Sequence, residues 1–274
     1  MAIATNASPV ERVARWAARF VTGAALAYLV LPLAAIVPLS FSAGTILVFP
    51  LPGLSLRWYA DFFDNPLWSS ALARSVMIAL LTMALATTLG TTAALGLQGA
   101  RFRGKTVIIG LLVAPMAVPV IITAVALFYW LSALGLVGTY AGLVCGHTVI
   151  ALPYAVVTVL AALQGLDPSL PRAAAVLGAA PLAAFRRVTL PLIWPGIAAG
   201  ALFAFCASFD EVVITLFVAS PQQRTLPRQI FSGVSEAVTP TVTAAAVVLG
   251  IVSIGLMLAT ELLRRRAARL RGIA

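Results

Sequence analysis

Six stretches of the chain, 20–41, 75–97, 107–131, 140–163, 193–218 and 242–263, run for 22 to 26 residues each and are almost wholly apolar. A helix rises about 1.5 Å per residue, so about 20 residues cover roughly 30 Å, the thickness of a bilayer's hydrocarbon core. In that medium every backbone N–H and C=O must find a partner within the protein, and a helix supplies them locally. The runs therefore predict six transmembrane helices and an all-α integral membrane fold. Pro115, Pro119 and Pro153 fall inside predicted spans and are expected to kink them. The first run is longer than the roughly 7–15 apolar residues of a signal peptide and reads as a retained anchor.

Composition agrees. Of the 274 residues 62% are hydrophobic and only 9% charged, with mean hydropathy +1.06, against about 25% charged in soluble domains. A net charge of +10 would suggest nucleic acid as a partner in a soluble chain. Here the basic residues sit in short loops and tails, where they set orientation. With the N-terminus inside, Arg12, Arg15, Arg19, Arg101, Arg103, Lys105, Arg172, Arg186, Arg187, Arg264, Arg265, Arg266, Arg269 and Arg271 are internal. Arg57, Arg74, Arg224 and Arg228 are external, a split of 14 to 4. The positive-inside rule then puts both termini in the cytoplasm. Trp16 and Trp194 fall at the inner face and Trp58, Trp68 and Trp130 at the outer, as aromatic belts require.

The expected layout is a cytoplasmic segment 1–19, a first transmembrane helix 20–42, an external loop 43–73, a five-helix core 74–263 and a basic cytoplasmic tail 264–274. The loop 43–73 includes an interfacial aromatic stretch around Trp58. Cys145 and Cys206 lie in apolar runs and read as buried small residues, with no support for a disulfide or a metal site. His147, the lone histidine, reads as packed or backbone-bonded. Gly196 and Gly200 form a small-xxx-small pair, for which helix packing is the default reading. No Gly-rich phosphate loop is present, so the chain does not bind ATP in the P-loop manner.

The loop 164–192 is the least membrane-like ordered segment. In 172–197 an Ala-rich run, Gly178 and Pro181 are spaced for two short helices and a turn. The second helix is expected over 182–188, stopping before Pro191. The alternative is an ordinary amphipathic loop between spans. This segment resembles the cytoplasmic "EAA" loop of ABC importer permeases. Ala173, Ala174, Gly178, Phe185, Arg186, Leu190 and Pro191 match the pattern, and 195–197 match its continuation. Arg172 stands where the family carries Glu, and Val176 where a second acid is common. The resemblance implies a type I ABC-importer permease fold with a helix-turn-helix coupling loop, in a bacterial inner membrane. It implies partners as well: two cytoplasmic ATPases that hold ATP and Mg, an external solute-binding protein and a second permease subunit, a heterodimer in polyamine-type systems. The chain itself would be non-catalytic and would bind no cofactor.

Asp210 and Glu211 lie within the fifth apolar run, and a charge at a helix centre costs about 2.5–3.5 kcal/mol on insertion scales. One reading is a path or gate for a cation. The other is carboxylates neutralised by a nearby Arg, such as Arg224, or by backbone donors. The segment 208–234 resembles the fifth span and following loop of spermidine/putrescine-type permeases, through Ser208, Phe209, Asp210, Glu211, Thr225, Leu226 and Pro227. That resemblance implies import of a polyamine or similar cation, with permeases for amino-acid derivatives or opines as alternatives. A secondary transporter would more often show inverted repeats. A membrane enzyme would need more than one His and one adjacent acid pair.

Overall fold

The computed structural model describes residues 9–100, 102–236 and 239–270. Residues 1–8 of the expected N-terminal segment, Arg101, and residues 271–274 of the expected tail lie outside the described residues. Among the described residues the structure is helical, with one isolated bridge between Ser42 and Leu54. Five helices are long and apolar enough to cross a membrane, or six if a bent pair counts as one span.

Helix α1, Pro9–Ser40, begins well before the expected span. Pro9 suits a first helical position, and the Arg- and Ala-rich turns after it are good helix formers. The loop 43–73 is likewise more ordered than expected, because it contains α2 (Arg57–Asp64) and the start of α3 (Pro66–Gly99). The start of α3 is fixed locally. Asn65 Oδ1 accepts the Leu67 N–H at 3.0 Å, and Pro66 occupies a first-turn position that needs no N–H partner.

The third run is not one helix. It divides into α4 (Lys105–Val113), a short turn at Ala114–Met116 and α5 (Val120–Ala133), with a bend of 103° between the two arms. Pro119 supplies the break: it has no N–H to donate and its φ −53, ψ 127 backbone is extended. Pro153 instead lies inside the continuous α6, Tyr140–Gln164.

The loop expected at 164–192 holds α7 (Ser169–Val176) and α8 (Pro181–Ala184), and α9 (Leu190–Phe209) follows. After the short helices α10 (Val213–Val218) and α11 (Leu226–Glu236), α12 (Pro240–Leu270) closes the chain. As far as Leu270, the basic tail is therefore the end of a helix.

Helices α3, α6 and α9 form the centre. Their close approach depends on small residues. A Cβ on Gly200 would meet Ala155 Cα at 3.2 Å, and one on Gly196 would strike the Ala162 Cβ. The Gly196–Gly200 pair is thus a seam of α9 against α6, the packing role expected of it. Towards the α7 end the three helices bury Ala94, Val156, Val159, Ile193 and Ile197. At the other end Ile78, Leu127, Leu131, Leu143, Ile214 and Val218 cluster, joining α5 and α10 to the body.

Candidate functional site

Two candidate sites lie at opposite ends of one helical run. The first is the turn after α7. Asp167 Oδ1 accepts the Ser169 N–H at 2.8 Å, which starts α7 and holds the exposed Asp167 carboxyl below its usual range. At the far end the Gly178 N–H donates to Ala175 O and the Ala179 N–H to Ala174 O, both at 3.0 Å. This paired arrangement ends a helix through one left-handed residue. Gly178 takes that place with φ +84, a conformation that costs a residue with a Cβ about 1–2 kcal/mol. Ala174 and Ala175 therefore supply the turn's carbonyls, and Ala173 O accepts the Leu177 N–H at 3.0 Å just before it.

The structure brings together most of the residues expected here. Arg172, Ala173 and Gly178 are exposed, Ala174 and Phe185 half-buried, and Arg186 exposed beyond the turn. Val176 and Leu177 project from the tip at 87% exposure, and Leu182 at 66%. An apolar tip on a basic loop is poorly matched to water.

The helix expected to stop before Pro191 does not stop. The run is unbroken from Pro181 to Phe209, because the turn Phe185–Thr189 is widened and Leu190 N–H reaches back to Phe185 O. A proline in a regular helix clashes with the carbonyl four residues earlier. The wide turn just before Pro191 relieves that conflict, and Leu190 and Pro191 continue the run into α9.

The second site is the other end of α9. The fifth span was expected to continue to 218, with Asp210 and Glu211 inside it. The helix instead ends at Phe209, and the two acids stand in a break before α10. Their roles differ. Glu211 Oε1 accepts the Ile214 N–H at 2.9 Å and so caps α10. This is the backbone-donor alternative. Asp210 is an exposed residue, and no hydrogen bond or ion pair to its carboxylate is found among the described residues. Arg224, suggested as a partner, makes no ion pair with either acid among the described residues. It is Arg228 that acts nearby, its Nη1 donating to Ala219 O at 3.0 Å and to Thr215 O at 3.2 Å at the far end of α10.

Sequence reading missed what supports this break. His147 is fully buried on α6. It is packed, as expected, and its Nδ1 lies 2.8 Å from Ser208 Oγ and its Nε2 3.1 Å from Thr215 Oγ1, so side-chain hydroxyls meet both ring nitrogens. Gln223 Nε2 donates to Gly138 O at 2.9 Å and ties the following loop to the start of α6. The only available signal was polarity: a His, a Ser and a Thr in apolar runs.

With this geometry in view, comparisons with known proteins agree on one family. The model for binding-protein-dependent transport system inner membrane components matches residues 86–269. The chain is 35% identical over 240 residues to the spermidine/putrescine transport system permease protein PotC of Haemophilus influenzae, covering 88% of this chain and 93% of that one. It is 36% identical over 246 residues to the putrescine transport system permease protein PotI of Escherichia coli, covering 87% of each. In fold it is similar to a chain of a bacterial alginate ABC transporter solved in complex with an alginate pentasaccharide-bound periplasmic protein. The TM-score is 0.71 at 16% identity, covering 94% of this chain and 96% of that one.

Proposed function

The chain belongs to the family of binding-protein-dependent transport system inner membrane components, and on that premise we propose that the solute it passes is a polyamine or a similar small organic cation. It is a multi-pass inner-membrane protein and a non-catalytic permease subunit of an ABC importer. The substrate is supported by the names of the relatives and by Asp210, the single observation that carries most weight. An exposed carboxylate on a membrane helix end is costly against lipid, so its face belongs to a protein- or water-lined space. An ammonium group entering such a space interacts with the carboxylate more strongly than in water.

Both termini and the Gly178 turn face the cytoplasm in this reading, as the 14-to-4 split of basic residues requires. The exposed Val176, Leu177 and Leu182 dock into a cytoplasmic ATPase subunit, which carries ATP and Mg. The unbroken run Pro181–Phe209 then links the docking turn to the Asp210 break. Movement of the ATPase at one end is delivered to the path at the other. A second, different permease subunit faces Asp210 across the solute path, and an external binding protein delivers the solute.

The test uses the assembled transporter in intact cells, with radiolabelled spermidine and putrescine. Asp210→Asn keeps the shape and removes the charge. Uptake is expected to fall at least tenfold, with membrane abundance and ATPase co-purification unchanged. Wild-type uptake by that variant overturns the role of Asp210. A neutral or anionic ligand on the cognate binding protein overturns the substrate class.

A further inference from the structure

We propose that His147 is a positioning residue: held on α6, it fixes the break between α9 and α10 and thereby sets where the Asp210 carboxylate is presented. This rests on the reading of Asp210 as part of the cation path.

The geometry is specific. Ser208 is two residues before Asp210 and Thr215 five residues after it, so the imidazole contacts one hydroxyl on each side of the break. Neither contact is local, since α6 is 61 and 68 residues away in the chain. His147 is 0% exposed, so it does not itself meet a solute. Ser208 and Thr215 are buried too, at 3% and 0%. A buried hydroxyl without a partner is costly, and a site with two is held together by whatever satisfies both.

The hydrogen-bond directions follow from the inventory. A neutral imidazole has one N–H and one acceptor nitrogen. The Thr215 hydroxyl also reaches the Glu211 carbonyl, at 3.5 Å. A hydroxyl has one proton, so if Thr215 gives it to that carbonyl it accepts from His147 Nε2–H. Nδ1 then accepts from the Ser208 hydroxyl. With that tautomer the chain of bonds runs Ser208 to His147 to Thr215 to the Glu211 carbonyl, and ends on the backbone of the break itself. The end of α9 and the start of α10 are both referred to one side chain on a third helix. The Glu211 cap on Ile214 fixes the turn internally, whereas His147 fixes it relative to the body. Asp210, with no partner of its own among the described residues, takes its position from both.

The experiment reads position and transport separately, on the assembled importer in membranes. Asp210→Cys is made in three backgrounds, with His147 intact, His147→Leu and His147→Gln. Its reaction rate with a water-soluble maleimide is measured in each. The amide of Gln has both a donor and an acceptor, whereas Leu fills space and has neither. The expected result is at least a tenfold change in labelling rate with Leu, restored to within about threefold by Gln. In a chain with Asp210 intact, His147→Leu is expected to raise the apparent KM for spermidine more than it lowers the maximal rate, and Gln to reverse that rise. Equal labelling rates in all three backgrounds overturn the positioning role, whatever transport does. If labelling changes but Asp210→Asn transports normally, position is confirmed and the path reading fails. Should His147→Leu fall below half of normal membrane abundance, the single variants Ser208→Ala and Thr215→Val replace it. Each must change the labelling rate at least threefold for the role to stand.

Discussion

The Ala179 N–H donates to Ala174 O at 3.0 Å, closing the turn after α7 around a single left-handed residue, Gly178. A Cβ at Gly178 meets nothing within 4 Å, so substitution there strains the backbone without a steric clash. The strain is about 1–2 kcal/mol for an ordinary residue, less for Asn, which tolerates this conformation, and greatest for branched residues. Uptake coupled to ATPase co-purification is expected to fall in the order Gly, Asn, Ala, Val. Membrane abundance should be similar throughout, because the turn is exposed. Equal coupling in Gly178→Asn and Gly178→Val would sink the idea that this conformation matters.

Orientation is open to a direct check. Asp64 at the end of α2 and Gln222 beyond α10 are both exposed, whereas the neighbouring Gln223 is 4% exposed and bonded to Gly138. Asp64→Cys and Gln222→Cys should therefore react with a membrane-impermeant thiol reagent in intact cells. Gly178→Cys should react only after the membrane is opened. External labelling at 178 would invert the topology.

Much of this was legible in the sequence, and the misses share a cause. Gly178 was readable because glycine takes a left-handed helix end without strain. Pro191 was misread as a stop. Local propensity carries no sign of the widened turn that lets the helix pass it, since that turn forms through the Leu190-to-Phe185 bond. Asp210 and Glu211 were recognised as costly but placed inside a helix. The runs on both sides, 204–209 and 212–218, are apolar, and hydropathy averaged across a break resembles hydropathy averaged along a span. The partners of His147 lie more than 60 residues away, and no local pattern reports them.

A second long-range bond gives a stability prediction. Ser75 Oγ on α3 accepts the Leu226 N–H at 2.7 Å, with Ser75 3% and Leu226 0% exposed. Ser75→Ala leaves a buried N–H at the start of α11 without a partner, a loss of about 1–3 kcal/mol. Thermal unfolding of the purified protein in detergent should shift down. Ser75→Thr, which keeps the hydroxyl, should shift it less. An unchanged midpoint in the Ala variant would mean that another group or water takes the N–H.

The two acids should separate by the kind of damage they cause. Glu211 uses Oε1 to accept the Ile214 N–H, and Gln offers a carbonyl oxygen at the same place. Glu211→Gln is therefore expected to keep the cap, weakened by the loss of charge on the acceptor, with abundance near normal. Glu211→Ala removes the acceptor and exposes the start of α10, at a cost of about 0.5–2 kcal/mol for a lost cap. Its abundance and thermal midpoint should fall together with uptake. Asp210 has no such bond to lose, so Asp210→Ala should spare stability and reduce uptake alone. Measuring both quantities on the same membranes decides between them. If Glu211→Ala is as stable as the parent while uptake is lost, Glu211 belongs with Asp210 on the path. If Asp210→Ala is unstable, Asp210 has a structural partner and its exposed face is covered in the assembled importer.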